Sequence, residues 1–217
     1  MTVWIDSALV LIILTNLVLL GSSRIRTAIR AASLQGIILA GLPLACRTGG
    51  PLLHSLLLAA GSMALKGILF PWLLFRARRE ANVRREPNPF VGYNASVVAG
   101  VVAMGLSLWL SAQLPLPTSG VPPLVLPAAF FTILAGLFLM VSRKTALSQV
   151  VGYLVLENGI YTFGVAVVQE APLLVELGVL LDVFVAVFVM GITVFHISRE
   201  FEHVDTDRLA ALRDWTR

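Results

Sequence analysis

The sequence predicts an all-α integral membrane protein with seven transmembrane helices, its N-terminus outside and its C-terminus cytoplasmic. Three observations lead there. Hydrophobic residues make up 58% of the chain and charged ones 13%, with a mean hydropathy of +0.89. Water-soluble domains carry roughly 25% charged residues, and half of that leaves too little polar surface to coat a compact body in water. Long apolar runs recur between short polar breaks, each near the length of about 20 residues that crosses a hydrocarbon core about 30 Å thick. Arginine and lysine gather in alternate breaks, the pattern by which basic loops are held on the cytoplasmic side during insertion. A soluble enzyme is excluded.

The first span, 3–23, opens with Asp6 rather than a basic region. Leu17-Val-Leu-Leu-Gly-Ser-Ser offers no small-x-small cleavage site before Arg24, so the segment reads as a retained helix rather than a signal peptide. Arg24, Arg26 and Arg30 follow it and lead into the second span, 27–45. The third, 52–75, is followed by Arg76, Arg78, Arg79, Arg84 and Arg85, a run that reads as a solvated cytoplasmic loop and not as a nucleic-acid surface. Spans four, 94–113, and five, 123–142, are joined by Leu114-Pro-Leu-Pro-Thr-Ser-Gly-Val-Pro-Pro, a stiff outer turn that can continue neither helix. Arg143 and Lys144 mark the inner turn into span six, 145–168, and a short loop precedes span seven, 172–196. The tail adds Arg199, Arg208, Arg213 and Arg217, leaving Arg47 outside and Lys66 within a span. Leu209, Leu212 and Trp215 give that tail one apolar stripe, suited to the membrane surface or to a soluble partner. Trp4, Trp72 and Trp109 read as interface or packing aromatics.

The chain thus divides into three N-terminal spans with a basic loop (1–93), a fourth span with its proline-rich outer loop (94–122), a three-helix unit (123–197) and a cytoplasmic tail (198–217). Arg26-Thr-Ala-Ile and Lys144-Thr-Ala-Leu open the second and sixth spans, with Gly41 and Gly159 in the same register, a faint sign that spans one to three repeat as five to seven. Chance similarity between apolar helices accounts for it equally well.

An ionisable side chain at the bilayer centre costs roughly 2.5–3.5 kcal/mol on insertion scales, so each needs a partner, water or a function. Glu157, in Tyr153-Leu-Val-Leu-Glu-Asn-Gly-Ile-Tyr161, lies about 12 residues or roughly 18 Å from the inner end of span six. Asp182, in Leu180-Leu-Asp-Val-Phe, reaches nearly the same depth in span seven. Antiparallel neighbours would set the two carboxyls side by side, and because both cannot ionise cheaply there, the pair can hold and pass a proton. Glu176, roughly 9 Å further out along span seven, suits an outer station reached by a short water chain, or an acid snorkelling to the surface. Lys66 lies deep in span three in Met63-Ala-Leu-Lys-Gly-Ile-Leu-Phe-Pro, where Pro71 removes the hydrogen bond to the Gly67 carbonyl. It can ion-pair with an acid or give up its proton and relay it. Asn158 and Tyr161, with Tyr153, Gln149, Ser148, Ser33 and Gln35, can line a wet path, although packing is their default role. His54 and His196, at opposite ends of spans three and seven, are secondary candidates for proton entry and exit.

The single Cys46 and the three histidines His54, His196 and His203 supply no zinc, haem or iron–sulfur ligand set, so any redox centre belongs to a partner. No Gly-rich nucleotide loop followed by Lys-Ser or Lys-Thr is present. A retinal-type receptor would need a lysine in the last span, and span seven has none.

Ser142-Arg-Lys-Thr-Ala-Leu-Ser-Gln, Tyr153-Leu-Val-Leu-Glu-Asn-Gly-Ile, Leu180-Leu-Asp-Val-Phe and Phe201-Glu-His-Val-Asp-Thr-Asp-Arg-Leu closely resemble the hydrogenase-4 component E family over nearly the whole chain. More distantly, residues 123–200 are similar to the K-type small subunit of respiratory complex I and the C-type subunit of Mrp cation/proton antiporters. The resemblance implies a non-catalytic membrane-arm subunit of a formate hydrogenlyase-type complex in a bacterial or archaeal cytoplasmic membrane. It implies antiporter-like and quinone-reductase H-type subunits as neighbours, and a peripheral redox module at the cytoplasmic loops or tail that holds the nickel–iron centre and iron–sulfur clusters. In the K-type subunits two membrane glutamates carry protons; Glu157 matches the first and Asp182 the second, shortened by one methylene. Lys66 has no K-type counterpart. The competing expectations are a cation/proton antiporter subunit without a redox module, and a structural spacer whose charges merely pair.

Overall fold

In a medium without water every backbone amide must find its partner inside the chain, which leaves helices as the economical solution for apolar runs of this length. The computed structural model describes residues 2–41, 60–80, 86, 89–114, 122–167 and 191, and these are helical nearly throughout. Helix α1 (Thr2–Gly21) and helix α2 (Ile25–Ala40) are joined by a short turn in which Thr27 and Ala28 donate to the Arg24 carbonyl. Helix α3 covers residues 60–80, with a π-helical turn at Leu65–Leu69 continuing into Phe70–Glu80. Helices α4 (Tyr93–Gln113), α5 (Val125–Ser142) and α6 (Ala146–Val167) follow. Three stretches, Trp4–Gly21, Tyr93–Gln113 and Val125–Ser142, are by length and apolarity able to cross a membrane. Six of the seven expected spans thus overlap observed helices, while span seven lies outside the described residues apart from residue 191.

One boundary differs from expectation. Arg76, Arg78 and Arg79 do not leave the membrane span as a loop but continue α3 to Glu80. Nothing in Phe75-Arg-Ala-Arg-Arg-Glu80 breaks a helix, arginine is a good helix former, and cations near a helix C-terminus oppose its dipole. One turn apart, the Arg76 guanidinium also lies over the Trp72 ring at 5.8 Å.

Helices α5 and α6 form the tightest pair, an antiparallel hairpin closed through residues 143–145. Glycines make the approach possible. A Cβ on Gly136 would run into the Leu156 backbone, one on Gly152 would sit 2.9 Å from the Met140 nitrogen, and one on Gly159 2.6 Å from the Ile133 nitrogen. Small residues are how membrane helices bring their backbones together. Helix α4 stands at the edge: only Ser96, Gly100 and Ser107 are buried, with Gly100 against Leu20 of α1, while Val98, Val101, Val102 and Trp109 face outward.

Two apolar clusters fill the interior. One, toward the end that carries Arg24 and Arg143, packs Leu19, Ile29, Phe70, Leu74, Phe131, Leu139 and Val151. The other, toward the opposite end, packs Leu9, Ile12, Leu39, Val125, Ala128 and Tyr161. Buried polar residues fall between them in sequence on α1 (Thr15 and Asn16), α2 (Gln35) and α6 (Glu157 and Asn158), and Lys66 on α3 and Thr132 on α5 are buried polar residues beside them.

The close approach predicts that Gly136→Ala, which pushes a methyl into backbone that cannot move aside, destabilises the chain by about 1–3 kcal/mol. Gly105→Ala, where a Cβ meets nothing within 4 Å, leaves stability within about 0.5 kcal/mol. Thermal unfolding in detergent, followed by circular dichroism, compares the two.

Candidate functional site: a buried lysine–carboxylate pair

Lys66 reaches the interior through the irregular turn of α3. Pro71 has no N–H to give the Gly67 carbonyl, so a regular ladder cannot pass this point; the chain instead widens, and the Phe70 N–H donates to the Leu65 carbonyl five residues back. Space for the lysine stem comes from α2. A Cβ on Gly36 would lie 2.6 Å from the Lys66 Cβ, and one on Gly67 would lie 2.9 Å from Ile37, so the two helices touch through their glycines.

The lysine ends against α6. Its Nζ donates to Glu157 Oε1 at 2.9 Å and to Asn158 Oδ1 at 3.3 Å, and lies 5.6 Å from the centre of the Tyr161 ring. Lys66 is 8% exposed and Glu157 4%. A charge-assisted hydrogen bond of this length is among the stronger side-chain contacts, and it offsets the desolvation of two ions that would each be costly alone. The second carboxylate oxygen, Glu157 Oε2, is buried and has no hydrogen-bond partner among the described residues.

A second polar chain adjoins the pair. Gln35 Nε2 donates to Asn16 Oδ1 at 2.7 Å and to Thr15 Oγ1 at 2.9 Å, and Asn16 Nδ2 donates to Thr132 Oγ1 at 2.8 Å. Gln35 precedes the Gly36 that contacts Lys66, and Gly159, which follows Asn158, lies against Thr132. The polar layer therefore runs from α1 through α2, α3 and α6 to α5 and back to α1. Gln35 Oε1 is its other buried acceptor without a partner among the described residues.

At the basic end of the bundle Glu86, from the connection after α3, lies on the first turn of α6. It accepts from the Lys144 and Thr145 amides at 2.6 and 2.8 Å and from the Thr145 and Ser148 hydroxyls. Burial raises the pKa of this carboxyl, but the bonds from Ser148, Thr145 and Lys144 together outweigh it and hold the group below its ordinary value. Arg143, counted in the sequence only as a topology charge, is buried here: its Nη2 donates to the Leu20 carbonyl at 2.7 Å and its guanidinium covers the Tyr93 ring at 4.6 Å.

Of the residues singled out from sequence, the structure brings Lys66, Glu157, Asn158 and Tyr161 together. Asp182, Glu176, His54 and His196 lie outside the described residues, and with them the expected Glu157–Asp182 pair. The partner of Glu157 that the structure shows is Lys66. Asn16, Thr132 and Glu86 were not anticipated. An asparagine inside the apolar Leu11–Leu20 run is a legible signal, whereas Glu86 stands in a basic loop where nothing local marks it out. Among the described residues no three His, Cys, Asp or Glu side chains gather into a metal site.

No family model matches the chain, and no solved structure matches it. Among curated proteins it is 34% identical to the uncharacterized protein Rv0085 of Mycobacterium tuberculosis, over 98% of this chain and 97% of that one. It is 27% identical to hydrogenase-4 component E of Escherichia coli K12 and to that of Shigella flexneri, over 94% of each chain in both cases. The chain belongs to the same family as Rv0085 and is a distant homologue of hydrogenase-4 component E over nearly its whole length.

Proposed function

We propose that this chain is a proton-translocating, non-catalytic subunit in the membrane arm of a hydrogenase-type redox complex. In this reading seven helices cross a bacterial or archaeal cytoplasmic membrane with the N-terminus outside, and protons pass by way of Lys66, Glu157, Asp182 and Glu176. The observation that carries it is the buried Lys66–Glu157 pair, one of whose carboxylate oxygens has no hydrogen-bond partner among the described residues. A merely structural ion pair is expected to satisfy both oxygens, because a buried acceptor without a donor costs about 1–3 kcal/mol.

The geometry gives the chemistry. At 2.9 Å a proton can move from Lys66 Nζ to Glu157 Oε1, exchanging a charged pair for a neutral one with no change in net charge. Glu157 Oε2 then remains as the face through which the carboxyl gains or loses a proton from elsewhere. A charge appearing in a neighbouring subunit shifts the balance between the two forms, which is how a distant redox event drives the transfer. Asn158 and the Tyr161 ring hold the ammonium in place in its charged form. The nickel–iron centre and iron–sulfur clusters are assigned to partner subunits, since Cys46 stands alone and three histidines with one cysteine make no such ligand set. Antiporter-like and H-type membrane subunits are the neighbours this role requires.

In vesicles carrying the intact complex, Glu157→Gln is expected to leave assembly and electron transfer in place and to lower proton translocation by about 10²-fold or more. Normal pumping by this variant makes the pair structural and the chain a spacer. Lys66→Met alone strands a buried carboxylate and is expected to cost about 3–5 kcal/mol, whereas Lys66→Met with Glu157→Leu removes both charges and restores much of that stability. Quantifying the assembled complex on native gels checks the stability order, and the double variant, though assembled, is expected not to pump.

A further inference from the structure

The Lys66–Glu157 pair joins two helices that carry no other described ion pair between them, and a shift of α3 along α6 by one residue would move the groups about 1.5 Å apart. Something must fix that register. Glu86, which follows α3 in the chain, lies on the first turn of α6 and bonds through its backbone to the α1–α2 turn, and α2 in turn packs Gly36 against Lys66.

The tie is specific. The Glu86 carboxylate takes the Lys144 and Thr145 amides on one oxygen and the Thr145 and Ser148 hydroxyls on the other, so both oxygens are satisfied. Free amides at a helix start, with the positive end of its dipole, favour an anion there, and Thr145 already caps the helix by accepting from the Ser148 amide at 3.3 Å. Glu86 is itself anchored: its N–H donates to the Ser23 carbonyl at 3.0 Å and its carbonyl accepts from the Tyr93 hydroxyl at 3.3 Å. Next to it, the Phe90 N–H donates to the Ser142 carbonyl at 3.0 Å, and Lys144 lies 4.8 Å from the Phe90 ring. The carboxylate is thus braced against the α1–α2 turn, α4 and the end of α5 while it grips α6.

We propose that Glu86 is a positioning residue for proton transfer: by gripping the first turn of α6 while its N–H holds the α1–α2 turn, it sets the axial register in which Glu157 Oε1 meets Lys66 Nζ, whose stem packs on α2. The proposal rests on the proton-relay reading above. Glu86 lies far from the pair along α6, touches neither member, and acts only through helix position.

The test is made on the intact complex in vesicles, reading protons moved per electron transferred, together with hydrogen exchange of the α6 amides. Glu86→Ala is expected to assemble and to transfer electrons, to expose the Lys144 and Thr145 amides to faster exchange, and to lower the proton-to-electron ratio about tenfold through misplacement of the pair. Glu86→Asp, which keeps the charge, is expected to recover most of the ratio. Should Glu86→Ala not assemble, the double variant Thr145→Val with Ser148→Ala removes two of the four donors and is read in the same way. A normal ratio in the Glu86 variant beside a collapsed one in Glu157→Gln overturns the positioning role and leaves the relay standing. Normal ratios in both overturn the relay, and the positioning role with it.

Discussion

The constraint on which this structure turns is a charge problem. A lysine and a glutamate are buried in the middle of an apolar bundle, and each offsets the cost of the other's charge. Helix α3 widens into a π turn to deliver the lysine, α2 offers Gly36 to make room for its stem, and α6 presents Glu157 and Asn158 one after the other to receive it. The polar layer follows from the same requirement. Once a charged pair occupies the interior, the neighbouring amides and hydroxyls of Gln35, Asn16 and Thr132 bond to one another across the helices, with apolar clusters on both sides excluding water.

Such a layer is weak evidence for stability and better evidence for a task. Apolar side chains of similar volume would hold the bundle at least as well, because desolvation consumes most of what a buried ion pair returns. Two buried acceptors of the layer, Glu157 Oε2 and Gln35 Oε1, have no partner among the described residues, an imbalance that a purely structural network tends to remove. The homology to hydrogenase-4 component E over 94% of the chain places that layer in a protein related to a hydrogenase component.

Much of the fold was legible in the sequence because its signals are long-range averages. Runs of some twenty apolar residues survive local noise, and six expected spans overlap observed helices. Boundaries were less legible: hydropathy reports where the apolar run ends, not where the hydrogen-bond ladder ends, so Arg76, Arg78 and Arg79 were read out of a helix that in fact carries them. In the site, Lys66 and Glu157 were visible as isolated charges in apolar surroundings, and Pro71 foretold the irregular turn. What the sequence left open was pairing, which depends on the rotation of α3 against α6 and on glycines at Gly36 and Gly67 that look ordinary in one dimension. Glu86 was invisible for a different reason: its four donors come from a segment some sixty residues away.

Infrared difference spectroscopy of the complex during redox turnover addresses the central claim most directly, because the carbonyl stretch of a protonated carboxyl lies above the amide bands and, unlike that of a lipid ester, shifts in heavy water. If Glu157 carries protons, turnover produces a carboxyl band that shifts in heavy water and is absent from Glu157→Gln, while electron transfer continues. A spectrum with no carboxyl change attributable to Glu157 would contradict the account and make the Lys66–Glu157 pair a fixed part of the scaffold.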